Sequence, residues 1–351
     1  MGKLWAGAFL ALGLAVAAQG VPVITGLNGP MGLLFAPDGR LYVVEYGLGG
    51  DTEVEAVNPE TGEKAVARVG ATSRVLRLEP GGEVQEVARF PSVALGQESS
   101  GASRLAWLGG LLVTSGGWNQ ADRDPMPFMG VVARVGPEGP EKVADLWAFE
   151  KAQNPDGFHR ETHPYGLTVG ADGYVYVADA GANDLLKVNP STGAVSLVAV
   201  FAGLPGPFAN PARGGAMEMD PVPTAVVVKD GVFYVSLLSG GPFLKGAAKV
   251  VKVEGGKVSD YATGATMLTD LQEGPDGQLY AVRFAETGER GPIPGTGAVL
   301  RVRPGGFEVV VDGLSFPTAL AIAPSGDLYV TVNGVGAPGS GAVLKFAGAI
   351  R

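Results

Sequence analysis

Residues 163–193 read HPYGLTVGADGYVYVADAGANDLLKVNPSTG, which brings His163 and Tyr165 close in sequence to Asp172, Asp179, Asn183 and Asp184. An imidazole is the one side chain whose ordinary pKa suits acid–base work near neutral pH. Carboxylates and amide oxygens are the natural ligands of a hard cation such as calcium. Several residues of the stretch also have plainer roles. Asp172 precedes Gly173, and an Asp-Gly pair closes a tight turn. Tyr174 and Tyr176 alternate with valines, the pattern of packing residues on a strand. The extended backbone that precedes Pro164 suits His163 to a loop. The chemistry is thereby narrowed to His163, Tyr165 and the loop from Asp179 to Asp184.

The elements that must hold these side chains are legible because the stretch has siblings. GPMGLLFAPDGRLYVVEYG begins at Gly29, VPTAVVVKDGVFYVSLLSG at Val222 and TDLQEGPDGQLYAVRFAE at Thr269. FPTALAIAPSGDLYVTVNG begins at Phe316, and a weaker copy, ASRLAWLGGLLVTSGG, at Ala102. Each copy is an apolar strand, a Gly-containing turn and a second apolar strand. A third strand follows: RVLRLEP at 74–80, VVARVGP at 131–137, DLLKVNP at 184–190, AKVVKVEG at 248–255, AVLRVRP at 298–304 and AVLKFAG at 342–348. A fourth strand such as FEVVVDG at 307–313 completes the unit. Four antiparallel strands per repeat predict an all-β fold, a six-bladed β-propeller. No helix-period segment stands out beside the period-2 strands.

The chain ends after a third strand, whereas VPVITGLNGP at its mature start resembles the fourth-strand segment EVVVDGLSFP. The N-terminal strand, about residues 21–25, is therefore expected to complete the last blade. Removal of residues 19–26 should then lower the melting temperature sharply.

In such a topology the short Asp-Gly turns share one face. The long segments 47–73, 115–130, 150–163, 203–222, 239–247 and 285–297 share the other, which is the usual arrangement for a binding surface. Second strands end there at Glu45, Asp179, Leu237, Arg283 and Val332. First strands enter at Asn28, Ser103, His163, Tyr165, Thr224, Asp270 and Thr318. A channel mouth lined by Glu45, His163, Tyr165, Asp179, Asn183, Asp184, Asp270 and Arg283 is the predicted binding site. Glu45 with Asp179, Asp270 or Asn333 is a weak calcium candidate, because no contiguous oxygen-ligand loop is present. No cofactor is otherwise implied.

Composition bounds the rest. MGKLWAGAFLALGLAVAAQG has a basic Lys3, an apolar run and small residues before Ala18, the grammar of a secretory signal over residues 1–18. One domain, 19–351, follows, with no second apolar run, so no membrane span is expected after cleavage and export is to the periplasm or medium. There are 0 Cys, so no disulfide supports the exported chain. The 56 Gly and 26 Pro punctuate short strands. A net charge of −9 with no basic block argues against a nucleic-acid partner. No GxSxG, P-loop, CxxC or HExxH motif occurs, and His159 and His163 are the only 2 histidines.

NPDG at 154–157, HPYGLTV at 163–169, VADAGANDLLKV at 177–188, VPTAVVVKDGVFYVSLLSGGPFLKGAAKVVKV at 222–253 and the FPTALAI unit at 316–322 resemble the ScyD/ScyE family of secreted bacterial proteins. That family more often has Asn before Pro-Tyr-Gly, where this chain has His163. More broadly the repeat is similar to NHL, streptogramin-lyase-like and gluconolactonase-like six-bladed propellers. The resemblance implies the fold and no established reaction. Two readings follow. One is a non-catalytic scaffold that holds a small molecule, glycan or protein on the long-loop face. The other is a calcium-assisted lactonase, esterase or lyase, with Glu45, Asp179 and Asp270 as ligands and His163 as acid or base. The first-strand carboxylate and paired Asn ligands of the gluconolactonases are not evident. The sequence names neither the ligand nor the oligomeric state.

Overall fold

The computed structural model describes residues 20–57, 62–96, 98–120 and 122–350. The expected signal segment 1–18 lies outside them. Among the described residues, six sheets have four or more strands. Sheet I contains Pro30–Phe35, Leu41–Glu45, Lys64–Leu78 and Val84–Leu95. Sheet II contains Ala102–Trp107, Leu111–Ser115, Val131–Gly136 and Gly139–Asp145; sheet III contains Pro164–Val169, Val175–Asp179, Asp184–Val188 and Val195–Val200. Sheet IV contains Pro223–Lys229, Val232–Leu237, Ala248–Glu254 and Lys257–Ala265; sheet V contains Leu268–Glu273, Leu279–Arg283, Gly297–Arg303 and Gly306–Leu314. Sheet VI contains Leu320–Ile322, Leu328–Val332, Gly341–Phe346 and, as its outer strand, Val21–Leu27.

The first strands touch in sequence from sheet I to sheet VI, and Leu320–Ile322 touches Pro30–Phe35 again. Apolar clusters fill the space between consecutive sheets. One joins I to II through Val44, Phe90, Leu105 and Val131, and another joins VI to I through Ile24, Leu33, Val43 and Val343. Each sheet is thus apolar on both faces, as the near-continuous Val and Leu runs require.

At the centre the first strands approach each other closely. A Cβ on Gly166 would lie 2.7 Å from the Cα of Ala225, and one on Gly32 would lie 2.6 Å from the carbonyl of Ser103. In sheets I to V the pairing of first with second strand slips by one residue at Met31, Ser103, Tyr165, Thr224 and Thr269. A bulge of this kind re-aims the side chain of the extra residue. Hydroxyls then join neighbouring sheets: Thr224 Oγ1 donates to Leu268 O at 2.9 Å, and Thr318 Oγ1 to Pro30 O at 2.5 Å.

Two expectations need correction. The segment 47–73 is not irregular, because Thr52–Val57 pairs with the early part of Lys64–Leu78 as a hairpin extension of sheet I. The alternation in TEVEAV and KAVARV is period 2, so it folds as strand. A helix is also present, Leu146–Gln153. Its N-cap Asp145 accepts the amide of Ala148, and Asn154 ends it in the left-handed region at φ 42°. Eight residues span too few turns for the helical period to stand out in the sequence.

Candidate functional site

The Asp-Gly face is framework. Asp172 accepts the Tyr174 amide at 3.3 Å, the Tyr176 hydroxyl at 2.8 Å and Lys187 Nζ at 3.0 Å. Asp276 repeats the pattern with the Gln278 amide and the Tyr280 hydroxyl. Side-chain acceptors here close turns, as Asx residues do.

On the other face, the expected carboxylate-lined mouth is built differently. Glu45 and Asp179 end homologous second strands and are buried. Both turn their oxygens onto the backbone that leads into the first strand. Glu45 Oε2 accepts the Asn28 amide at 2.7 Å, and Oε1 pairs with Arg74 Nε at 2.5 Å. Asp179 Oδ1 accepts the amides of His163, Gly181 and Ala182, while Oδ2 accepts the Thr162 hydroxyl. Burial raises the Asp179 pKa and these donors oppose the shift. Asp270 lies deeper, with Oδ1 on the Leu271 amide and Oδ2 on the Leu320 amide, both at 2.9 Å.

Asp270 faces Arg104, which fills the centre of the ring. Its Nε stands 3.6 Å from Asp270 Oδ1. Nη1 donates to the carbonyls of Met31 and Ser103, and Nη2 to those of Thr269 (2.5 Å) and Thr318 (3.0 Å). The guanidinium lies 4.4 Å from the Tyr165 ring centroid, within cation–π range. One side chain therefore binds backbone from sheets I, II and V and from the segment entering sheet VI, and stacks on a residue of sheet III.

Tyr46, His163 and Tyr165 sit together beside this pair. His163 Nε2 is 3.1 Å from the Tyr46 hydroxyl, and the two rings stack at 6.2 Å. Tyr165 meets the imidazole edge-on at 5.6 Å. Burial and the nearby Arg104 cation push the His163 pKa down to about 4. The ring is consequently neutral at pH 7 and able to accept a proton or a hydrogen bond. Burial and Tyr165 push the Tyr46 phenol up, which keeps it a hydrogen-bond donor.

A base with a depressed pKa is protonated more readily in the unfolded chain, so stability falls as pH drops from 6.5 towards 4. Between pH 7 and 4.5, wild type should lose about 2 kcal/mol more than His163→Asn, measured by urea denaturation of both at each pH. Equal losses would mean that this imidazole titrates normally.

The predicted residues thus separate. His163, Tyr165 and Asp270 converge around Arg104, while Asp179, Asn183 and Asp184 form the neighbouring loop of sheet III. Arg283 turns to Thr296 O at 3.2 Å and to Glu286 at 2.7 Å, and Asn333 donates to Ser340 O at 2.9 Å. Each of these two serves its own loop. The calcium set Glu45, Asp179, Asp270 and Asn333 does not fit a cation, because its acids are occupied by separate donors. Among the described residues no three His, Cys, Asp or Glu side chains form a metal-holding group.

Arg104 and Tyr46 escaped sequence reasoning. A signal existed in the third position of the first strands, where the copies carry Gly32, Arg104, Gly166, Ala225, Asp270 and Ala319. Two opposite charges in a column of Gly and Ala mark a pair that meets across the centre.

Structural comparison decides the architecture. A structural-genomics protein provisionally assigned as a gluconolactonase superposes with a TM-score of 0.53 at 14% identity, over 96% of this chain and 94% of that one. The fold is a β-propeller. A protein of unknown function from Bacteroides thetaiotaomicron matches with a TM-score of 0.52 at 12% identity, over 94% of this chain and 72% of that one. Virginiamycin B lyase from Staphylococcus aureus in complex with quinupristin gives a TM-score of 0.48 at 13% identity, covering 95% and 89%. At such identities the likeness concerns the propeller fold alone. No family model and no curated protein matches the sequence. Among the described residues no helix is long and apolar enough to cross a membrane.

The two described grooves lie away from the ring centre. One is bordered by Phe35, Arg40, Leu78 and Tyr329, the other by Val69, Phe90, Met126 and Phe128. The polar chemistry therefore sits apart from both.

Proposed function

We propose that the chain is an exported six-bladed propeller of the ScyD/ScyE type that binds a small molecule, glycan or protein on its long-loop face and performs no reaction. The observation that carries this reading is the occupation of Glu45, Asp179 and Asp270, the three acids that a calcium-assisted reaction would need as ligands. Glu45, Asp179 and Asp270 each hold backbone amides or an arginine, so none is free to act on a ligand. Fully bonded buried carboxylates position loops. The His163–Tyr46 pair remains as a neutral acceptor and donor beside aromatic surface, a combination suited to hydroxyl-rich or aromatic ligands. The six cyclic apolar clusters and the pairing of the N-terminal strand into sheet VI support the six-blade count.

A lactonase, esterase or lyase is the second reading, favoured by one observation: a half-buried imidazole kept as the free base. The test offers the purified mature protein to a glycan array and to a panel of aldonolactones and aryl esters. Binding that is lost in His163→Ala and Tyr46→Phe, and kept in Asp172→Ala on the turn face, supports the scaffold when no lactone or ester turns over above buffer. Hydrolysis abolished by His163→Ala overturns it in favour of the enzyme.

A further inference from the structure

Where the helix leaving sheet II meets sheet III, two buried carboxyl groups have no donor. Glu150 lies on the helix and is 1% exposed; Asp184 opens the third strand of sheet III and is 0% exposed. Among the described residues all four of their oxygens lack a hydrogen-bond partner. Asn154, one turn beyond Glu150, also has its side-chain oxygen buried and unpartnered.

The surroundings make this costly. Asp184 stands directly opposite Asp179 in the antiparallel pair, where like charges destabilise. Beyond burial itself, the negative charges of Asp179 and Asp156 disfavour ionisation of both Glu150 and Asp184, Glu161 adds to this at Glu150, and Arg160 opposes it at Glu150. Asp156 gives one oxygen to the Asn183 amide and the other to the Phe158 amide. Two uncompensated buried carboxylates would cost several kcal/mol each. Either protons or a cation must neutralise them.

We propose that Glu150 and Asp184, with the side-chain oxygen of Asn154, hold a divalent cation of the calcium class between sheets II and III. The donors are all oxygen and include an amide carbonyl, the set that calcium accepts and that soft metals do not. Two carboxylates are fewer than a full protein cage, so water completes the shell and the site is of the weak class, with a Kd on the order of 0.1–1 mM. The site is independent of the ring-centre pair. It shares only a neighbour with it, since Asp179, opposite Asp184, also holds the His163 amide.

The test is terbium luminescence and thermal melting of the full mature chain at pH 7.5. Trp147, one turn before Glu150 on the helix, is placed to sensitise a bound lanthanide. Terbium emission excited through tryptophan should appear, be displaced by calcium, and fall about tenfold or more in Asp184→Asn and Glu150→Gln. The wild-type melting temperature should rise with calcium and not with sodium at equal ionic strength. Wild type without sensitised emission and with melting indifferent to calcium overturns the proposal, whatever the variants do. Melting that then falls from pH 5 to pH 8 assigns the pair to a shared proton, because burial pushes Glu150 up to about 8 and Asp184 well above its usual range.

Discussion

Arg104→Ala should lower the unfolding free energy by about 5 kcal/mol, the largest single-site loss expected in this protein. The substitution strips donors from the carbonyls of Met31, Thr269 and Thr318 and leaves Asp270 buried beside empty space. Removing one partner of a buried pair costs about 3–5 kcal/mol, and carbonyls left without donors add to it. The Tyr165 ring also loses the cation against its face. Urea denaturation measures the loss. The double variant Arg104→Ala/Asp270→Ala should be more stable than the sum of the two single losses predicts, since it removes the orphaned charge as well. A loss under about 1.5 kcal/mol for Arg104→Ala would place the guanidinium's contribution at that of a surface pair.

Removing residues 21–27 should cost about 4 kcal/mol or more and lower the melting temperature by roughly 8 °C. This strand pairs with Gly341–Phe346 from Val21 opposite Lys345 to Leu27 opposite Gly341. It buries Ile24 and Leu27 to 2% and 1% exposure, about 2 kcal/mol each, in the cluster that joins sheet VI to sheet I. Gly341 marks how close the two ends lie, because a Cβ there would stand 2.5 Å from Pro30 Cδ and 2.8 Å from Leu27 O. The truncated chain also bares the unpaired edge of Gly341–Phe346, so self-association should accompany the lower melting temperature in light scattering. An unchanged melting temperature with a monomeric product would show that the Val21–Leu27 strand contributes nothing.

Much of the scaffold was legible because its signals are local. Asp172-Gly173 closes a turn through chemistry contained in four residues, and Asp276-Gly277 repeats it. Third strands expected at 184–190 and 298–304 appear as Asp184–Val188 and Gly297–Arg303. The hairpin at 52–57 and the helix after Asp145 were missed, the first because it is inserted between a second and a third strand and, among the described residues, no other copy extends its sheet in this way. The second is too short for its period to register.

The site was legible only as a set of positions. The alignment of repeats correctly put Glu45 and Asp179 at second-strand ends, and His163 at a first-strand entry. What their side chains do there depends on partners that periodicity does not report. A carboxylate at a strand end serves equally to bind a ligand or to hold the amides of Asn28 or His163, and only the approach of those amides selects between them. Sequence by itself determined the all-β repeat, the turns, the register of hydrophobic faces and the strand that joins the chain's ends, because period-2 patterning and turn preferences act between neighbours. Only the tertiary structure decided that Arg104 meets Asp270 at the ring centre, that Tyr46 holds His163, and that Glu150 and Asp184 are buried with no donor among the described residues. These arrangements bring together residues far apart in the chain, and their energies arise from burial that exists only in the folded protein.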